Sequence, residues 1–221
     1  MQENKGKQRQ LAKERARAER KKAGRSEKGS ALLVCEGKCT EPRYLHGLLR
    51  HLDISTANVE IIEGQSRSNA VAVVTRARQR FETAPRYRVF VLIDTEQADL
   101  PQALKQCKTP LQRENKKKGH PLIRIEPVLS TPCFEFWLLL HFRYCDQPFT
   151  CFADVLPELR ASLPDYRKSE PAIFLKTGGG EGLDRALLNT AKLRRFLGQT
   201  QSTIPATDMD RLVEALHAIK V

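Results

Sequence analysis

The chain has 221 residues, 40% of them apolar, enough for one core with a small annex. Its formal net charge is +12, and residues 1–30 alone hold eleven Lys or Arg against four Glu, a local surplus of +7. No apolar run nears the roughly 20 residues of a membrane span, and the basic N-terminus is not followed by the apolar stretch of a secretory signal. The six cysteines (35, 39, 107, 133, 145, 151) form no CxxC pair and no zinc pattern with His, so a reduced, cytoplasmic protein is expected.

Residues 1–29 read as a basic flexible arm. Arg9 to Lys22 is rich in helix formers, yet apart from Leu11 the segment has no large apolar stripe to bury. It is either a solubilising tail or a phosphate-contacting arm. Ala31–Cys35 is a short apolar run that reads as a buried strand, ended by Glu36-Gly37. A helix follows over about Pro42–Leu52, with Thr40 as its candidate cap and Pro42 in its first turn. Val59–Ile62 reads as a strand, Asn69–Phe81 as a helix and Arg88–Asp94 as the clearest strand in the chain. A helical stretch over about Leu100–Lys118, broken at Pro110, and a fourth strand at Leu122–Ile125 complete the alternation.

This order predicts an α/β fold, and its fully apolar strands predict a mostly parallel sheet covered by helices on both faces. After Pro132 the pattern turns helical: Phe134–Phe142, Cys151–Leu163, Gly182–Leu197 and Thr207–Ile219, with no convincing strand between them. The expected organisation is the arm at 1–29, an α/β core at 30–145 and a helical C-terminal region at 146–221 packed on that core.

Glu36 follows the first strand and Asp94 ends the third. Ligands of open α/β sheets bind beyond the carboxyl ends of the strands. Two parallel, neighbouring strands would therefore bring these carboxylates together, with Glu96 on the same rim. Converging carboxylates without a His/Cys set suit Mg²⁺ or Mn²⁺; the bland alternative is ordinary turn and cap residues. Glu135 interrupts an apolar run, where an ionised carboxylate is costly unless paired or metal-bound; the alternative is a helix-start residue near the N-terminal dipole. His141 lies about 240° further round the same helix, so the two side chains point about 120° apart. His141 is either a catalytic candidate or a satisfied core histidine. Lys168 could stabilise charge building up in phosphoryl transfer, or be a solvated loop lysine. Gly178-Gly179-Gly180 lacks the spacing of a phosphate-binding loop and reads better as a hinge.

Three segments in this order resemble the RloB-like family: Val34 to Tyr44 (VCEGKCTEPRY), Val89 to Glu96 (VFVLIDTE) and Pro132 to Phe142 (PCFEFWLLLHF). Tyr166-Arg167-Lys168 resembles that family's Y-x-K element. Pro205-Ala206-Thr207 and Arg211 to Glu214 resemble its last helix. The likeness spans roughly residues 31–219.

The resemblance implies a Toprim-like fold and a place in bacterial anti-phage defence, often beside an ATPase from the same operon. By that likeness Glu36 matches the Toprim glutamate, which acts as general acid or base. Asp94 and Glu96 match its D-x-D metal pair, with Glu one methylene longer at the second position. The expected site is therefore Glu36, Asp94 and Glu96 holding Mg²⁺ or Mn²⁺, with Glu135, His141 and Lys168 as further catalytic candidates. The expected activity is a metal-dependent endonuclease acting in abortive infection. Expected partners are a nucleic acid (DNA or RNA, tRNA included), an ATPase subunit and further copies in a homo-oligomer, with no membrane. Two alternatives stay open: a catalytically silent nucleic-acid-binding or partner-docking subunit, and a metal-dependent phosphotransferase or phosphatase acting on small substrates.

Overall fold

Alternating side chains of the central strands enter two separate apolar layers, and this fixes the architecture. In a computed structural model, residues 29–65, 68–111, 122–200, 202 and 205–219 are described. The strands are β1 (Ala31–Cys35), β2 (Val59–Ile62), β3 (Arg88–Asp94), β4 (Ile125–Thr131) and β5 (Ala206–Thr207). The helices are α1 (Thr40–His51), α2 (Ala70–Thr83), α3 (Leu100–Lys108), α4 (Phe134–Leu140), α5 (Phe152–Ser162), α6 (Ile173–Lys176), α7 (Gly179–Thr200) and α8 (Met209–His217). The sheet order is β2-β1-β3-β4-β5. The first four strands are parallel, and β5 runs antiparallel to β4.

Leu32, Val34, Val89, Val91 and Ile93 pack with Val73, Val74, Ala77 and Phe81 of α2 and with Ala103 and Cys107 of α3. Ala31, Leu33, Cys35, Phe90 and Leu92 face the other way, onto a larger core shared with α1, α4 and the C-terminal helices. A period-two strand buried on both faces gives the continuous apolar runs seen in the sequence. The fold is thus the expected mostly parallel α/β sheet covered by helices. All six cysteines are free thiols, with Cys35 and Cys133 buried. Among the described residues no helix is long and apolar enough to cross a membrane.

Four expectations are corrected. The fourth strand is Ile125–Thr131 rather than Leu122–Ile125; Pro127 and Glu126 break the apolar pattern that would mark it. Proline is tolerated there because β4 meets β5 only at Ser130 and Thr131, so its outer side at Pro127 has no strand partner among the described residues. A short strand, β5, does lie within the C-terminal helical region. Helix α3 stops at Lys108, and the rest of that predicted helix falls mainly in 112–121, outside the described residues. The arm also lies outside them, up to residue 28. Thr40 is the first helical residue of α1 rather than its cap, which is Cys39.

Candidate acidic cleft at the switch point

Strand β1 is connected onward to β2 on one side, and β3 lies on its other side. The crevice beyond β1 and β3 is therefore the point where the strand order reverses, the usual ligand position in open α/β sheets. The two strands are parallel neighbours in register, Ala31 opposite Arg88 and Cys35 opposite Leu92. Their carboxyl ends carry Glu36 and Asp94 to one rim, as the sequence predicted. A cleft of about 340 Å³ opens there, lined by Glu36, Glu41, Asp94, Glu96, Glu135 and Lys168 together with Lys38, Cys39, Gln97 and others. Five of the six sequence-predicted site residues line it.

Each carboxylate is positioned by a specific donor. Glu36 Oε2 accepts the Asp94 backbone N–H at 3.2 Å, and its Oε1 accepts Gln97 Nε2 at 2.5 Å. Asp94 Oδ1 accepts the Phe134 N–H at 2.9 Å, at the start of α4. Glu96 reaches across the rim, and its Oε2 accepts the Phe152 N–H at 3.1 Å, at the start of α5. Both contacts place negative charge at a helix N-terminus. Glu135 is buried, accepts the Tyr166 hydroxyl at 2.7 Å and lies 3.7 Å from Lys168 Nζ. Lys168 Nζ also sits 4.0 Å over the Phe152 ring, while its carbonyl accepts the Thr40 hydroxyl at 3.0 Å.

His141 does not line the cleft. It is fully buried behind the cleft: its Nδ1 donates to the Trp137 carbonyl and its Nε2 accepts the Tyr44 hydroxyl, each at 2.9 Å. Burial lowers its pKa to about 4, so the ring is neutral at pH 7. The core-histidine alternative describes this position.

The structure adds Glu41, which the motif contained but no site assignment included. Helix α1 carries it into the cleft, buried, with its Oε1 accepting the Gly37 N–H at 2.9 Å. A Cβ on Gly37 would lie 2.0 Å from the Glu41 carboxylate, so glycine is needed for this close approach. Gly64 packs equally tightly, since its Cβ would meet the Glu36 carbonyl at 1.7 Å. In sequence Glu41 looks like an ordinary first-turn acid; the glycine that makes room for it was the available signal.

These acids raise one another. Burial, then the charges of Glu41, Glu96 and Asp99, pushes Glu36 up to about 7, against the lowering effect of the Asp94 N–H. Burial followed by Glu41, Glu135, Glu36 and Glu96 holds Asp94 well above the usual carboxylate range. Glu41 is raised by burial and by Glu135. Among the described residues no group of three or more His, Cys, Asp or Glu side chains is placed to hold a metal ion. The carboxylates of Glu36, Asp94 and Glu96 are oxygen donors of the kind a hard divalent cation takes, and the cations lining the same cleft are the side chains of Lys38 and Lys168. Glu36, Asp94 and Glu96 are the residues that would hold such an ion.

Residues 31–216 match the model of the RloB-like protein family, and the chain belongs to that family. No curated protein and no solved structure gives a significant match.

Proposed function

We propose that this RloB-like protein is a metal-dependent endonuclease, an effector of anti-phage abortive infection whose activity is controlled by a partner ATPase. The observation that carries the reading is the convergence of Glu36 and Asp94 at the β1/β3 switch point, in a cleft whose carboxylates raise one another's pKa. A bound Mg²⁺ or Mn²⁺ would supply Lewis-acid polarisation of a phosphodiester. The protein's own groups supply the rest. Glu36, poised near neutrality, exchanges a proton with the nucleophile or the leaving oxygen. Gln97 and the Asp94 N–H hold both of its oxygens, fixing its orientation. Lys168, tethered to Glu135 and steered by the Phe152 ring, faces phosphate charge at the mouth of the cleft. The sequence has no nucleotide-binding loop, so ATP control belongs to another chain.

The test is expression alone and together with any ATPase encoded beside the gene, followed by sequencing of total DNA and RNA ends. The reading expects new ends with the wild type, none with Asp94→Asn, and loss of cleavage in EDTA restored by Mg²⁺ or Mn²⁺. Unchanged ends in every arm leave the silent-subunit reading in its place.

A further inference from the structure

Lys168 stands in a loop, yet three helices hold it. The Glu170 N–H donates to the Arg167 carbonyl at 3.0 Å and closes a turn with Lys168 at its second position. Helix α1 grips the backbone of that turn: the Thr40 hydroxyl donates to the Lys168 carbonyl at 3.0 Å, and Arg43 Nη1 donates to the Ser169 carbonyl. Helices α4 and α5 act on the side chain. Glu135 of α4 brings Oε1 to 3.7 Å from Nζ, and Phe152, at the start of α5, places its ring 4.0 Å below it. Phe152 is fixed in turn by the Glu96 carboxylate on its N–H. The loop backbone is therefore clamped, and only the ammonium is left to respond to a ligand in the cleft.

Tyr166 belongs to the same loop and meets the same atom. Its hydroxyl donates at 2.7 Å to Glu135 Oε1, the oxygen that also faces Lys168. The two partners are unequal: the tyrosine makes a short hydrogen bond, while 3.7 Å is too long for one and leaves the lysine held by charge alone. Tyr166 is 2% exposed and does not line the cleft, so it does not touch a ligand there. Burial, then the Glu135 charge, pushes its hydroxyl up, which keeps it protonated and a donor. Glu135 is 3% exposed, and a carboxylate so buried must be paired or hydrogen-bonded. With the tyrosine as its donor, it does not need the lysine.

We infer that Tyr166 is a positioning residue for Lys168: by satisfying Glu135 it keeps the ammonium poised between that carboxylate and the Phe152 ring, free to meet an anionic group in the cleft. Without the hydroxyl, the buried carboxylate takes its hydrogen bond from Lys168 and draws Nζ away from the ligand. A cation held at the right place before the ligand arrives needs no reorganisation when charge develops. That the anionic group is a phosphodiester undergoing cleavage rests on the function proposed above. The poise of Lys168 is a property of the unliganded protein and does not depend on it.

The experiment reads the lysine directly. The full chain, free of metal and substrate, is acetylated with sulfosuccinimidyl acetate, and the rate at Lys168 is taken by mass spectrometry relative to Lys38, an exposed lysine of the same cleft. Tyr166→Phe, which keeps the ring and removes the hydroxyl, is expected to slow Lys168 by about threefold or more, as the ammonium closes onto Glu135. Glu135→Gln is expected to speed it, and adding Tyr166→Phe to Glu135→Gln should change nothing further. An unchanged Lys168 rate in Tyr166→Phe overturns the inference whatever happens to Tm, as does the same shift in the presence and absence of the Glu135 carboxylate. A cleavage assay then tests the consequence. Tyr166→Phe should lower kcat by about tenfold in the wild type and have no further effect in Lys168→Ala, with Mn²⁺ affinity unchanged. Equal losses in both backgrounds make Tyr166 a structural residue and overturn the inference. If the wild type never cleaves, the endonuclease reading falls, and the acetylation rates still decide the role of Tyr166.

Discussion

Helix α4 separates two polar clusters of opposite character. At its first turn Glu135 joins Glu36, Glu41, Asp94 and Glu96 around the cleft. At its end His141 joins Tyr44 and Trp137 in the core. The histidine itself is fully engaged: both ring nitrogens are bonded, and its carbonyl accepts Arg185 Nη1 at 2.9 Å, while the neighbouring Trp137 Nε1 has no hydrogen-bond partner among the described residues. Such a network rigidifies a core. The carboxylate cluster closes only in part. Its backbone donors fix orientation, but the like charges stay crowded and are driven toward protonation. Polar groups satisfied within the protein build structure, and crowded groups of one sign are where a cation and a phosphate would be accommodated.

The largest expected effect breaks the acidic cluster. Asp94→Asn should lower metal-dependent cleavage by about 10³-fold or more while leaving nucleic-acid affinity nearly unchanged. The amide can still accept the Phe134 N–H, and removing one like charge should raise the metal-free Tm by a few degrees, about 2–4 °C per kcal/mol for a chain of this size. Loss of activity together with gain of stability is the signature sought in a nuclease assay paired with a melt. Glu36→Gln should cost about 10²–10⁴-fold in cleavage rate.

Glu135→Gln keeps shape and should keep the fold while losing metal-dependent activity; full activity with a lowered Tm instead makes Glu135 a structural residue. Glu96→Gln should be milder, about tenfold, because Glu96 is exposed and already engaged with the start of α5.

On the other side of α4, His141→Ala leaves the buried Tyr44 hydroxyl without its acceptor. It should cost about 2–4 kcal/mol of stability with cleavage per folded molecule unchanged. The two clusters should also titrate with opposite sign. The pKa of His141 is lowered from 6.5 to about 4 by burial, so between these values the unfolded chain binds the proton and the folded chain does not. Its contribution is complete above about pH 6.5 and is lost as pH falls toward 4, at most roughly 3 kcal/mol. Glu36, raised from 4.5 to about 7, holds its proton longer in the folded state, so it favours folding as pH falls through that window. Denaturant titrations of the wild type, Glu36→Gln and His141→Ala from pH 4 to 8 separate the two slopes.

Much of this was legible in sequence because the strands that frame the cleft are uninterrupted apolar runs. Ala31–Cys35 and Val89–Ile93 announce β1 and β3 and so place Glu36 and Asp94. Strand β4 was hidden by Pro127 and Glu126, which pair or fit only in the assembled sheet, and β5 is two residues long. Glu41 was hidden because its partner is the backbone N–H of Gly37, a contact made only when α1 folds back on the rim. The 120° separation of Glu135 and His141 was readable from helical geometry. Which of them faces the cleft depended on tertiary packing.

The most direct test of the central claim is calorimetric titration of the metal-free full-length protein with Mn²⁺, repeated with Mg²⁺. The account predicts saturable binding to the wild type with a rise in Tm, absent in Asp94→Asn and intact in His141→Ala. Identical heats for the wild type and Asp94→Asn would contradict it.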